Sequence, residues 1–216
     1  MEATAEKSTE KESRKLQLKE PTLVHEGKWL NYYNVPFTSE NKEGLWEVVG
    51  RIPPTSEKIK YSGVIVIPTA VDPETNEKIV LIEKIYRVPI QKYSLEFPAG
   101  MRDKDDDDPC ATALRELKEE TGYTGQNPKA NLDVKTDPWK SMGTHCHVEV
   151  EVDLTLEENK NPKQDLEFEE DITTMWVKID GLKETLENLA QEMDCDLDQR
   201  LYSWALGIGF VKNFGI

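Results

Sequence analysis

The sequence predicts a mixed α/β (α+β) sandwich, and three observations carry that expectation. Strand signals fill residues 29–97, one short amphipathic helix is embedded at 109–121, and two apolar helical stripes close the chain. Strands first, one helix among them and helices at the end fit layers of sheet and helix. At 216 residues the chain holds one core of ordinary size plus a small appended unit.

The elements follow in order. Residues 1–20, "MEATAEKSTEKESRKLQLKE", lack the apolar stretch of a signal peptide and carry too many glutamates for a mitochondrial presequence. They read as a disordered polar tail of an intracellular, cytoplasmic protein. Residues 21–58 form an N-terminal β unit, in which "WLNYYNVPF" and "LWEVVGR" are strands and "TSENKEG" supplies turn chemistry. "IPPTSEK" breaks the pattern, which places a boundary near residue 58. In the main domain, 59–216, "SGVIVIPTAV", "KIVLIEKIYR" and "KYSLEF" are strands. The helix from Pro109 comes next, then strict alternation from Val148 to Leu156, and then the strand "TMWVKI". Leu182, Leu186, Leu189 and Met193 make one helical stripe; Leu197, Leu201, Trp204, Ile208 and Val211 make the other.

Composition narrows the function. The formal net charge is -15, which argues against nucleic acid or an anionic membrane as partner, and a chain this acidic that handles phosphates needs metal ions to do so. Cys110, Cys146 and Cys195 are odd in number and widely spaced, so neither a disulfide framework nor a zinc site is indicated. No apolar run reaches the length of a membrane span.

The stretch "PCATALRELKEETGY" places Glu119 and Glu120 in the last turn of its helix, facing the negative end of the helix dipole. Acids there are disfavoured by a few tenths to about 1 kcal/mol each. On a helical wheel Glu116, Glu119 and Glu120 share an arc of about 100°, opposite Cys110, Ala113, Leu114 and Leu117. Asp108 suits the N-cap, Pro109 the first helical position and Gly122 the left-handed C-terminal residue. A solvated charged face is the simple reading. Three converging carboxylates beside the acidic run "DKDDDD" suit Mg²⁺, with Mn²⁺ as substitute. An EF-hand loop from Asp103 fails, because its sixth position is Asp108 and its twelfth Leu114.

Gly100 followed by "RELKEETGY" closely resembles the Nudix box, G-x5-E-x7-R-E-U-x-E-E-x-G-U, where U is a bulky apolar residue. Arg115, Glu116, Leu117, Glu119, Glu120, Gly122 and Tyr123 match in kind and spacing. Asp107 stands where the family usually has Glu, and Gly100 lies one residue further off, so the loop carries an insertion and a shorter acid. "EFPAG", "IYRVPI" and "EGKW…LWEVVGR" resemble the dimeric ADP-ribose pyrophosphatases of that family, and the likeness runs from about Glu26 to Leu206.

The resemblance implies a Nudix α/β/α sandwich with a mixed sheet, assembled as a homodimer with shared active sites. Glu116, Glu119 and Glu120 would hold the metal with the Ala99 carbonyl, and Arg115 would orient the glutamates or be an ordinary surface ion pair. Arg51 and Arg87 would grip the diphosphate bidentately, or else be surface charges. Trp29 and Trp46 would sandwich adenine, or else pack in the core; Glu47 would contact adenine, Glu96 the terminal ribose or metal, and Met101 completes the substrate set. Glu119 would serve catalysis as well as metal binding, and the base would come from "QDLEFEED", where Glu167 aligns best and Glu169 and Glu170 are rivals. His145 and His147 read as strand residues. The implied reaction is metal-dependent hydrolysis of ADP-ribose to AMP and ribose 5-phosphate. The alternatives are another ADP-sugar or an oxidised nucleoside diphosphate as substrate, or a catalytically silent module that senses ADP-ribose.

Overall fold

The computed structural model describes residues 16–51, 62–103 and 108–214. The expected boundary near residue 58 and the box-loop residue Asp107 lie outside these. The described residues fall into two compact units, one comprising 16–51 with 136–143 and the other the remainder.

In the first unit β3 (Asn31–Ser39) is central. It pairs antiparallel with β4 (Lys42–Gly50) along its whole length, with β2 (Thr22–Glu26) at one end and with β1 (Leu16–Leu18) at the other. The β3–β4 turn needs only Glu40 and Asn41, both left-handed at φ 47° and 68°, so the strands run further into "TSENKEG" than its polar composition suggests. A two-residue turn with both φ positive matches the twist of a hairpin. Leu16–Leu18 corrects the tail expectation: a three-residue L-Q-L alternation is too short to signal a strand alone, yet it pairs with Phe37–Ser39. Residues 136–143 join this unit through hydrogen bonds from Val49 N to Lys140 O (2.9 Å) and from Met142 N to Val49 O (3.4 Å).

The second unit is built on a mixed sheet. Its strands are β5 (Gly63–Val71), β6 (Lys78–Arg87), β7 (Lys92–Glu96), β8 (Ala99–Met101), β9 (Gln126–Lys135), β10 (Thr144–Glu151), β11 (Ile172–Lys178) and β12 (Asp196–Leu197). β10 runs parallel to β5 and β12 to β7, while the other pairings are antiparallel. Alternation on these strands feeds two cores. Val64, Val66, Leu81 and Val148 pack with Ala113 and Leu117 of α1 (Pro109–Thr121). Ile65, Ile67, Val80 and Ile82 pack with Leu182 and Leu186 of α3 (Leu182–Glu192) and Leu201 and Ala205 of α4 (Gln199–Phe214). Helices on both faces of a mixed sheet make the α/β/α sandwich that the sequence implies.

Two strand readings need correction. β9 was not expected, because "QNPKANLDVK" is almost wholly exposed and polar; it forms as an edge strand on β10. β10 stops at Glu151 rather than Leu156, where Asp153 Oδ1 accepts hydrogen bonds from the Thr155 amide (2.9 Å) and hydroxyl (2.7 Å) and turns the chain. Among the described residues no helix is long and apolar enough to cross a membrane.

Candidate active site

The site is organised by α1. Asp108 caps it by accepting from the Cys110 amide (2.9 Å), Pro109 takes the first position, and Gly122 ends it at φ 77°. A Cβ on Gly122 would fall 2.3 Å from the Lys163 amide nitrogen, so the exit turn admits only glycine. Ala113 and Leu117 are fully buried against the sheet, which turns the glutamate arc toward β8.

The orphan carbonyls of the last turn are met by the segment 161–171, which leads from α2 (Glu157–Lys160) into β11. The Asp165 amide donates to the Glu119 carbonyl (2.8 Å), and Gln164 Nε2 donates to the Glu120 carbonyl (2.6 Å) and to that of Ile172 (3.2 Å). Buried Asn159 bonds the Thr124 amide (2.8 Å) and the carbonyls of Thr124 (3.0 Å) and Asp153 (2.9 Å), tying the α1 exit to α2. These contacts hold the acidic loop at the end of α1.

Between α1, β8 and that loop lies a cavity of about 650 Å³, whose lining includes eight carboxyl side chains and two guanidiniums, Arg87 and Arg115. Arg115 is the hub. It contacts Glu119 Oε2 (2.8 Å), Glu116 Oε1 (2.9 Å) and the Met101 carbonyl (3.2 Å). Glu120 Oε2 accepts from the Ala99 amide (2.9 Å). Gly100 makes room for Glu116, whose carboxyl carbon lies 1.8 Å from where a Cβ would be.

Burial dominates the electrostatics. It pushes the Glu116 carboxyl up to about 7, with Glu119 and Glu170 adding and Arg115 opposing. For Glu120, burial and then the charges of Glu83 and Glu116 push the value up to about 10, against the Ala99 amide. Burial and the carboxylates of Glu96 and Glu170 hold Glu83 well above the usual range, against the pull of Arg87 and Arg200. Burial and mutual repulsion make these carboxyls reluctant to ionise even with Arg115 on Glu116, and crowded oxygen donors of this kind suit a hard divalent cation. Among the described residues no three His, Cys, Asp or Glu side chains are grouped so that they could hold a metal ion as they stand. Arg115 draws Glu116 and Glu119 to itself, so the site is a donor set rather than a cage.

The cavity gathers most of the residues expected from sequence. Ala99, Met101, Arg87, Arg115, Glu116, Glu119, Glu120, Glu167, Glu169 and Glu170 all line it. Glu170 Oε2 accepts from the Glu167 amide (2.8 Å), and the charge of Glu170 acts on Glu83, Glu116 and Glu120. Phe168, next to Glu167 in this loop, is fully exposed. Glu96 is not among the lining residues: it is buried and bidentate with Arg87 (both 3.0 Å), with Arg200 Nη2 a further 3.3 Å contact. His145 is held neutral, its value lowered to about 4 by burial and the charge of Arg200.

The other expected contacts belong to the first unit. Trp29 is 61% exposed, with Lys28 Nζ 4.6 Å from its ring centre. Trp46 is 50% exposed and donates from Nε1 to the Trp139 carbonyl (2.5 Å). Glu47 accepts from the Tyr32 hydroxyl, and Arg51 is exposed just past β4. Sequence reasoning missed Gln164, Asn159, Arg200 and Glu83. The only signal for Glu83 was an acid inside the apolar run "KIVLIEKIY".

This geometry agrees with the comparisons to known proteins. The NUDIX domain family model matches residues 62–197, and the chain belongs to that family. It is 33% identical to an ADP-ribose pyrophosphatase of Saccharomyces cerevisiae over 88% of this chain and 80% of that one. It is 31% identical to an ADP-sugar pyrophosphatase of Mus musculus over 93% of this chain and 91% of that one. A crystal structure of an ADP compounds hydrolase shares the fold, with a TM-score of 0.66 at 16% identity over 95% of this chain and 99% of that one.

Proposed function

We propose that this chain hydrolyses the diphosphate of ADP-ribose to AMP and ribose 5-phosphate, with Mg²⁺ as its cation, as a homodimer whose partner completes each active site. The carrying observation is the carboxylate-lined cavity at the end of α1, with Arg87 and Arg115 as its lining cations. The names of the yeast and mouse relatives supply the substrate class. The mouse relative's name keeps other ADP-sugars as a second substrate reading.

Glu116, Glu119 and Glu120 would hold the cation, with the Ala99 carbonyl. Once bound, the cation screens charge on the diphosphate and acidifies water. Arg115 keeps Glu116 and Glu119 aligned through its two ion pairs. Arg87, fixed by its two bonds to Glu96, presents its guanidinium to diphosphate oxygens. The loop acids accept the proton of the attacking water; Glu170, whose charge reaches the helix glutamates, is the more direct base, and Glu167 shares its turn. Water adds across one P–O–P bridge, giving two monophosphates.

The exposed indoles of Trp29 and Trp46, and an apolar hollow of about 370 Å³ lined by Leu16, Val35, Trp46 and Trp139, support a partner surface on the first unit. The test is a panel of ADP-ribose, other ADP-sugars and oxidised nucleoside diphosphates with Mg²⁺, scored by kcat/KM and by chromatography of the products. ADP-ribose should lead and yield AMP; no turnover of any compound, with ADP-ribose bound, would assign a sensor instead.

A further inference from the structure

Glu83 lies in the middle of β6, yet it is wholly buried. Strand alternation puts Leu81, Glu83, Ile85 and Arg87 on one face. Leu81 packs with Ala113 and Leu117 of α1, and Ile85 and Arg87 line the acidic cavity. Glu83 therefore sits between the α1 core and the cavity floor. Its cross-strand neighbours are Glu96 on β7 and Thr174 on β11.

Neither carboxylate oxygen of Glu83 has a hydrogen-bond partner. The two nearby cations are engaged elsewhere: Arg87 binds Glu96 through Nε and Nη2 (both 3.0 Å), and Arg200 binds Asp198 (2.8 Å) and Glu96 (3.3 Å). A buried carboxylate without partner or counter-ion is strongly unfavourable. A sheet core would retain Leu or Val there more easily than Glu. The remaining charged neighbours, Glu96, Glu120 and Glu170, are acids.

We propose that Glu83 is a fourth carboxylate of the cation site, acting with Glu120 to hold a divalent cation at the floor of the cavity. This inference rests on reading the α1 glutamates as cation ligands. A cation there would give both orphaned oxygens of Glu83 the partner that no side chain supplies, since Arg87 and Arg200 are bonded to Glu96 and Asp198.

The test titrates Mn²⁺ into metal-free wild type, Glu83→Gln, Glu83→Asp and Glu120→Gln, following free Mn²⁺ by electron paramagnetic resonance and melting temperature in EDTA. Glu83→Gln should lower Mn²⁺ affinity at least tenfold while its metal-free melting temperature stays level or rises, because the isosteric amide removes the buried charge. Glu83→Asp should fall between. Glu83→Gln with affinity and stoichiometry within threefold of wild type would overturn the inference. So would a drop in metal-free melting temperature with Mn²⁺ binding intact, since that makes Glu83 a scaffold residue. Glu120→Gln separates the two readings: if it too binds Mn²⁺ like wild type, the α1 site itself is wrong, whereas if it alone loses binding, only Glu83 is misassigned.

Discussion

Replacing Gly100 with Ala separates the geometry of the site from the stability of the fold. A Cβ at Gly100 would lie 1.8 Å from Glu116 Cδ and 2.0 and 2.1 Å from its oxygens. Carbon contacts settle at about 3.5 Å, so the carboxyl must retreat by roughly 1.7 Å. The displaced atoms are the end of a flexible side chain, and Gly100 is not among the left-handed glycines. The backbone of β8 therefore accepts Ala, which also restricts the unfolded chain and offsets about 0.4–1 kcal/mol of any strain. Stability should change by no more than about 1 kcal/mol, or about 4 °C in a domain of this size. Catalysis should suffer far more, because a misplacement of about 1 Å costs about 10²-fold. The assay is kcat/KM on ADP-ribose with Mg²⁺, beside melting temperature in EDTA. Turnover within fivefold of wild type would refute the placement of Glu116. Loss of activity with a melting drop above about 10 °C would show that the sheet, not the carboxylate, was damaged.

Glu120→Gln should abolish Mg²⁺-dependent turnover yet stabilise the metal-free protein. The folded carboxyl is raised to about 10 by burial and then Glu83, so in EDTA the wild type is fully favoured only below the unfolded value near 4.5 and loses stability as pH rises toward 10. The variant's advantage in EDTA should thus grow between pH 5 and 9, by at most about 1.4 kcal/mol per unit; a gap that shrinks with pH would reverse the sign. Glu170→Gln should lower kcat by about 10²–10⁴ with Mn²⁺ affinity kept, and Glu167→Gln by less than about tenfold; the opposite ranking returns the base to Glu167. Trp46→Ala should raise KM more than it lowers kcat, since a half-exposed indole is dispensable for folding; insoluble protein would make Trp46 a packing residue.

The legibility of the sequence followed burial. β5 and β6 are apolar runs buried on both faces and α1 and α3 carry regular apolar stripes, so they were legible; the stripe expected in α4 holds only in part, with Leu197 in β12 and Val211 exposed. β9 has no buried face to advertise, so pairing energy alone makes it a strand. Residues 136–143 were invisible as part of the first unit, because the bonds that attach them, to the Val49 backbone and from the Trp46 indole to the Trp139 carbonyl, use the segment's backbone and carry no composition. At the site, the α1 glutamates were legible because a motif fixes their spacing. The ion pairs of Glu96 were not legible because "EFPAG" gives its neighbourhood but not the arginines on either side of it. Gln164 and Asn159 act on carbonyls, which have no residue identity to pair with in a sequence pattern.

The acids at the negative end of α1 also explain the loop that follows. Their charge and the last-turn carbonyls repel each other, and the donors that relieve this end come from the segment preceding the loop acids: the Asp165 amide on Glu119 and the Gln164 amide group on Glu120. Each donor also fixes the path of the chain toward Glu167 and Glu170, which share one turn at the cavity wall. Capping the helix and placing the proposed base are thus one set of contacts. The cation would complete the same compensation from the other side, since it answers carboxylates that the capping donors, aimed at carbonyls, leave without charge. Metal binding should therefore tighten α1 and the loop together, and the helix that reads as wrongly charged in isolation becomes consistent only with its loop and its cation in place.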